Sequence, residues 1–429
     1  MTPTKNPILA LLSLIAAQFV IAPLGFSAGA AQFTEDKITT ADVAFGWFGE
    51  YVALHGDTLA TNSAFDRVTV FIHDGDKWTK QQHISVDDGG DFGLGVALFE
   101  GTLAISEPRA TGGGAVHIYV RSGVNWLLQQ TLTADDELPG GNFGLSLSLQ
   151  SDAIAIGAPD KTVDGKMFAG AVYVFERSGD IWSKVQRIVA PVPREFQIFG
   201  ASVALNGDNL VVGGPFTWDQ GGPDDVGQIY LYQRGGDGWT LMDTASGSEA
   251  SHLTQFGRPV AIDGSTVAAH DPERSADTGP ASGVVYVFEI DEAELRQIAK
   301  LSPSDPQPVD GGDSGFGTAI SIEGESMLIS APDYNGNVPG AGAIYLFEKP
   351  GGNWTETQKI VASDTKDGDR FGITLSSHGG RFAAGAFGFG FDLDANEGAV
   401  YVFTPAEFGP GSGASVGALI IILQYLAAK

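Results

Sequence analysis

The sequence contains no cysteine, so no disulfide, thiolate nucleophile or cysteine-ligated metal can contribute to its fold or chemistry. It also lacks two short signatures of metal-hydrolase and phosphate chemistry: no H-E-x-x-H pair or P-loop occurs in its 429 residues. Positive charge is scarce. Lys and Arg total 24 against 52 Asp and Glu, a formal net charge of −28. Such a surface repels phosphate backbones and anionic headgroups, which argues against nucleic acid as a partner.

Long apolar runs are confined to the two ends. Residues 1–31 place Lys5, then PILALLSLIAAQFVIAPLGF, then the small residues of SAGAA. That order of basic, apolar and small-residue segments reads as a secretory signal peptide, the alternative being a membrane anchor. At the other end, residues 409–429 form a Gly/Ser-rich spacer and an apolar stretch from Ala414 to Ala428. That stretch is shorter than the roughly twenty residues that span a bilayer comfortably. It reads either as a C-terminal sorting signal, the one route to a membrane once a signal peptide is cleaved, or as a segment docked on the domain.

What the chain has in abundance is glycine, 59 residues, and much of it recurs in a pattern. GGAVHIYVRSGVNW begins at Gly113 and AGAVYVFERSGDIW at Ala169. Repetition at such spacing marks a supersecondary unit used several times. Phe-Gly followed by an alternating apolar stretch occurs at Phe48, Phe92, Phe143, Phe199, Phe256, Phe316 and Phe371. Each copy continues through a tight turn such as Asn206-Gly207, a second apolar segment, a loop, and a third segment of the type VYVF that is apolar on both faces. A fourth segment follows, marked by Trp78, Trp126, Trp182, Trp239 and Trp354. In the fifth copy DEAELRQIAKL could be helix by propensity, but its place in the repeat predicts strand.

Seven four-stranded antiparallel meanders predict an all-β fold, a seven-bladed β-propeller over residues 32–408. The seventh copy ends at VYVF without a fourth segment, whereas EDKITTAD at residues 35–42 matches the register of QQTLTADD and TQKIVASD. The N-terminal strand is therefore expected to complete the last blade.

The recurring Phe-Gly, the Gly157-Ala158-Pro159 type of second-segment ending and the VYVF segment resemble the FG-GAP repeat of integrin α-chain propellers and of secreted bacterial proteins. The resemblance implies an exported, extracellular, periplasmic or surface-exposed binding or adhesion module of a bacterium. Integrin-type repeats often carry calcium between the first two strands, but here those turns are too short to wrap a cation. No family calcium site carries over, and no cofactor is expected to be required.

Acidic loops after the second strands offer other candidates. Asp333, Asn335 and Asn337, and likewise Asp392, Asp394 and Asn396, could gather Ca2+ weakly, against the alternative of turns that bond their own backbone. Asp160, Asp164, Asp219, Asp224, Asp225, His270, Asp271, Glu273 and Asp333 are candidate binding-face residues, with His270 read as a loop residue beside carboxylates. Asp87, Asp88, Asp91, Asp135, Asp136, Asp310, Asp313, Asp364, Asp367 and Asp369 in the interblade connections add negative charge to the same face. The expected partner is an extracellular protein or glycan that is cationic or cation-bridged, met by a monomer. Two other readings stand beside this one: a propeller-fold polysaccharide lyase or hydrolase, and a structural envelope subunit.

Overall fold

A computed structural model describes residues 32–39, 47–63, 66–86, 91–134, 141–216, 226–248, 255–272, 282–307, 315–388 and 398–406. The expected leader at 1–31 and the tail at 409–429 lie outside them. Gln32–Ala406 forms one compact unit.

Each Phe-Gly copy folds as one four-stranded antiparallel sheet, and there are seven. Blade four shows the pattern: Ser202–Asn206, Asn209–Gly214, Gln228–Gly235 and Gly238–Ala245 pair in sequence order. Asn206-Gly207 makes the first hairpin because Gly207 takes φ 58° at no steric cost. The third strands are buried over most of their length, as double-faced apolar segments require. The fifth copy's Glu294–Leu301 is a strand, pairing with Val284–Asp291, so the ladder overrides local propensity.

The Phe-Gly pair does not open the first strand, as its sequence position suggested. Phe48 and Gly49 lie in a turn, and the strand begins at Val52. The reason is packing between blades. The Gly200 turn rests on blade three, where a Cβ at Gly157 would overlap the Gly200 carbonyl oxygen and a Cβ at Gly170 would overlap that of Phe199. Blade seven meets blade one the same way, with Gly385 and Gly398 against Gly49 and Phe48. Within blade three, Gly144 N–H donates to the Gly157 carbonyl at 3.0 Å. The Gly-Ala-Pro glycine thus serves its own blade through its oxygen and the next blade through its missing side chain.

First strands of neighbouring blades touch in an unbroken cycle that includes blades seven and one. The outer rim is clasped by side chains. Gln82, Gln130 and Gln186 each exchange two hydrogen bonds with the backbone of the next blade's Trp126, Trp182 or Trp239, at 2.7–3.1 Å. These indoles are almost fully buried. Where Leu295 replaces the Trp, Asp243 Oδ2 accepts its N–H at 2.7 Å.

The N-terminal strand Phe33–Ile38 pairs antiparallel with Ala399–Pro405 and completes blade seven. Lys37 faces Tyr401 just as Lys359 faces Tyr345 in blade six. Lys37 Nζ donates to Asp364 at 2.6 Å, and Tyr401 donates to the other oxygen at 2.7 Å. These bonds hold the Asp364 carboxyl below its usual range, the Lys37 contact contributing most. The pair is half-exposed and so adds little stability. The strand ladder and Phe33, packed edge-on to Phe382 and Phe403, carry the closure.

Two outcomes follow from this packing. Gly157→Ala should destabilise the protein by about 2 kcal/mol or more, because two backbones must part to admit one methyl. Gly101→Ala, which meets only the Arg121 Cβ at 3.6 Å, should shift the melting temperature little; equal shifts for the two would contradict the latch. Removing Phe33–Ile38 should lower the melting temperature and promote aggregation through the open strand edge. An unchanged melt would show that the ring closes without it.

Candidate functional site

Seven copies of one unit allow each position to be compared across blades. In blades three to seven the third residue of the third strand is Tyr173, Tyr230, Tyr286, Tyr345 or Tyr401, each edge-on to the Phe of its own blade's turn at 5.1–5.7 Å. Blades one and two break the rule with Thr69 and His117. Their second strands also depart from Gly-Ala-Pro, ending in Asn62-Ser63 and Ser106-Glu107.

These substitutions form polar chains. Ser63 Oγ lies 2.5 Å from Thr69 Oγ1, which lies 2.9 Å from His83 Nδ1. In blade two, Glu107 Oε2 and His117 Nε2 are 2.9 Å apart, and His117 Nδ1 is 3.1 Å from Thr131 Oγ1. Glu107 is fully buried. Buried polar groups must be satisfied to be tolerated. The same scaffold solves this packing with an aromatic pair five times, so folding alone does not require the polar version.

Above these chains, at the junction of blades one and two, a cleft of about 220 Å³ opens among Trp47, Glu50, Asn62, Asp66, Asp91, Phe92, Gly93, Leu94 and Arg109. It lies where first strands begin and second strands end, the end of the ring that carries the long connections. Trp47 is stacked on Phe387 of blade seven at 5.3 Å. Asn62, at the Gly position of Gly-Ala-Pro, accepts the Tyr51 N–H at 3.0 Å and turns its amide towards Glu50 at 3.4 Å. Asp66 accepts the Phe92 N–H at 3.1 Å, and Arg109 pairs with Asp91. Phe92 stands 5.5 Å from the His117 ring, so the blade-two chain packs behind the cleft wall. Burial pushes the Glu50 carboxyl up to about 7, although the Asn62 hydrogen bond acts the other way.

The residues singled out in the sequence are dispersed. His270 and Asp271 are not on a loop: they end the strand Thr266–Asp271 and are buried, with His270 Nδ1 3.0 Å from the Arg258 carbonyl oxygen. The His270 ring fills the space a Gly-Ala-Pro glycine would leave, against Gly317 of blade six. Asp160 accepts from Asn142, and Asp164 stands at the tip of a hairpin bridged by Val163 and Lys166. Asp333 is held by both forks of Arg370 at 2.9 and 3.1 Å, and Asn335 caps Gly340 N–H at 2.9 Å. Asn337 is on the same loop. No group of three or more His, Asp or Glu among the described residues is arranged to hold a metal ion. Asp219, Asp224, Asp225, Glu273, Asp392, Asp394 and Asn396 lie outside the described residues.

Sequence reasoning named Asp91 for its charge alone and missed Trp47, Glu50, Asn62, Asp66 and Arg109. The signal was present in NSA and SEP at the Gly-Ala-Pro position of two adjacent blades.

The FG-GAP repeat matches the chain at residues 126–175, 182–232, 295–347 and 354–403. The chain is an FG-GAP repeat propeller. Each match starts within two residues of the head of a fourth strand and ends on the third strand of the next blade. No curated protein matches the chain. Among solved structures, a chain of the mitotic checkpoint complex is similar in fold, with a TM-score of 0.50, 11% identity, and coverage of 95% of this chain and 99% of that one. The Saccharomyces cerevisiae protein Sqt1 has a TM-score of 0.48 at 10% identity, covering 83% of each chain. FG-GAP propellers are typically non-catalytic binding modules.

Glu50 yields a pH-dependent outcome. A carboxyl whose folded pKa is raised binds its proton more tightly in the native state, so stability falls as pH rises from the ordinary carboxyl range through about 7. Glu50→Gln cannot ionise. The variant should melt a few degrees above the wild type at about pH 8 and level with it at about pH 4; a pH-independent difference would contradict the buried carboxyl.

Proposed function

We propose that this FG-GAP propeller is an exported binding or adhesion module that engages an extracellular protein or glycan through the face carrying its second-to-third-strand loops. The observation behind the reading is the inequality of the two faces. On one, tight turns are tied to each other around the ring. Asn206 accepts the Gly264 N–H, Asp263 that of Gly324, Glu323 that of Gly379 and His378 that of Gly56, at 2.6–3.1 Å. Those side chains are committed to the scaffold.

The opposite face carries longer and more varied connections, which is where a rigid scaffold presents recognition residues. It holds the cleft and also an exposed apolar feature. Met167, Phe168 and Phe196 stand out to solvent, with the two phenyl rings stacked at 5.4 Å. Phe168, Phe196 and Ile198 hold φ between 46° and 59°, costly for bulky side chains. Backbone bonds from Phe196 to Met167 and from Ile198 to Phe168 keep them so. The export half of the reading rests on the order of segments in residues 1–31, and the net charge favours neutral or cationic partners over polyanions.

The absence of cysteine makes a clean test available. Single cysteines at Lys166 or Arg109 on the loop face, and at Asp208 in a turn of the other face, can each carry a polyethylene glycol chain. Binding to immobilised extracellular glycans and surface proteins should be lost with the loop-face labels and kept with the Asp208 label. Loss with the Asp208 label alone would move the site to the opposite face.

A further inference from the structure

The cleft between blades one and two has a chemistry more specific than general loop-face recognition. At about 220 Å³ it is smaller than the ~300–1,000 Å³ sites that enclose drug-sized ligands, and so suits one small unit of a larger molecule. Its polar groups cover both sides of the hydrogen bond. Asp66 and Asp91 only accept, Arg109 only donates, and the Asn62 amide does both.

Its acidic groups each have a partner within: Asp91 pairs with Arg109, Asp66 accepts the Phe92 N–H, and Glu50, whose carboxyl burial holds towards the neutral form, accepts from the Asn62 amide. A cation entering the cleft would have to displace Arg109, and an anion would meet Asp66 and Asp91. An uncharged ligand needs no counter-charge and avoids the cost of burying one. Trp47 and Leu94 supply apolar surface beside these groups, and Trp47 is braced by Phe387.

Hydroxyl groups are at once donors and acceptors, and a pyranose ring joins several of them to an apolar C–H face. We infer that this cleft, with Trp47, Asn62, Asp66, Asp91 and Arg109 as its contacts, holds one neutral monosaccharide unit of an extracellular glycan. The inference rests on the loop-face reading and adds the ligand class and the place. The surrounding repeat supports it. The two blades that form the cleft are the two that give up the Phe–Tyr pair, and Asn62 enters the cleft at a position that is glycine in blades three, four and seven.

The test uses the full-length protein on an array of neutral, anionic and amino glycans, followed by titration with the retained sugar. Neutral glycans should be retained. Arg109→Ala removes a side chain that is 71% exposed and should leave the melt unchanged while weakening sugar affinity at least tenfold. Trp47→Leu should do the same through the apolar wall, with its melt measured alongside. Lys166→Ala, on the separate hairpin of blade three, should leave sugar affinity unaltered.

Three results would overturn the inference: no neutral glycan retained, retention that survives both cleft substitutions, or retention of amino glycans alone. Should the protein instead capture a surface polypeptide that a label at Lys166 blocks, loop-face recognition would stand and the sugar site would fall. Binding blocked from the Asp208 side alone would remove both.

Discussion

The ring depends on backbone meeting backbone between blades. At the junction of blades three and four, the turn carbonyls of Phe199 and Gly200 press on Gly170 and Gly157, where no Cβ can fit. Phe199 itself is fully buried beside Tyr230 and Tyr232. Such edge-on aromatic pairs contribute about 0.5–1.5 kcal/mol beyond their area. Each motif residue has a part in this one contact. Phe anchors the turn, its Gly lets the turn approach the neighbour's third strand, and the Gly of Gly-Ala-Pro receives the next turn. The motif describes an interface, which explains why it recurs while the loops between its parts vary.

Because the contact joins blades, the sequence repeat and the structural blade need not coincide. Each matched segment runs from the head of a fourth strand to the third strand of the following blade. A chain written in such units begins with a fourth strand and ends with a third, and Phe33–Ile38 pairing with Ala399–Pro405 is the consequence. Every other blade is closed by hairpins local in sequence. Blade seven alone holds together residues from the two ends of the described chain. Lys37, Asp364 and Tyr401 reproduce the Lys359, Asp305 and Tyr345 arrangement of blade six, so the closing strand meets the same side-chain environment as an ordinary fourth strand.

Blade number, strand order and the closing strand were legible because each was written several times: a repeated apolar pattern averages out local ambiguity, as Glu294–Leu301 shows. The site was harder to read for a related reason. Attention to acidic loops selected Asp160, Asp333 and Asn335, whose side chains tie loops together. Composition cannot separate a carboxylate that braces a turn from one that lines a cleft. His270 looked exceptional in sequence, yet its ring replaces missing packing volume against Gly317. A single departure can be absorbed by its neighbour. Trp47 and Glu50 flank the first Phe-Gly turn, and nothing in their spacing tells that blade two leaves an opening beside them.

Correlated departures carry more information than isolated ones. In blade one Asn62, Ser63, Thr69 and His83 change together, and in blade two Glu107 and His117 change together at the positions of Ser63 and Thr69. Replacing an apolar aromatic pair by buried hydrogen-bonded chains gains little stability even when every partner is found, and costs much when one is lost. Five blades show that the cheaper solution was available on this scaffold. The polar chains sit under the cleft, where they fix Phe92 from behind through His117. A wall held by directional bonds keeps its position more sharply than one held by apolar packing alone. That places the stability cost of blades one and two where a preorganised binding surface would use it.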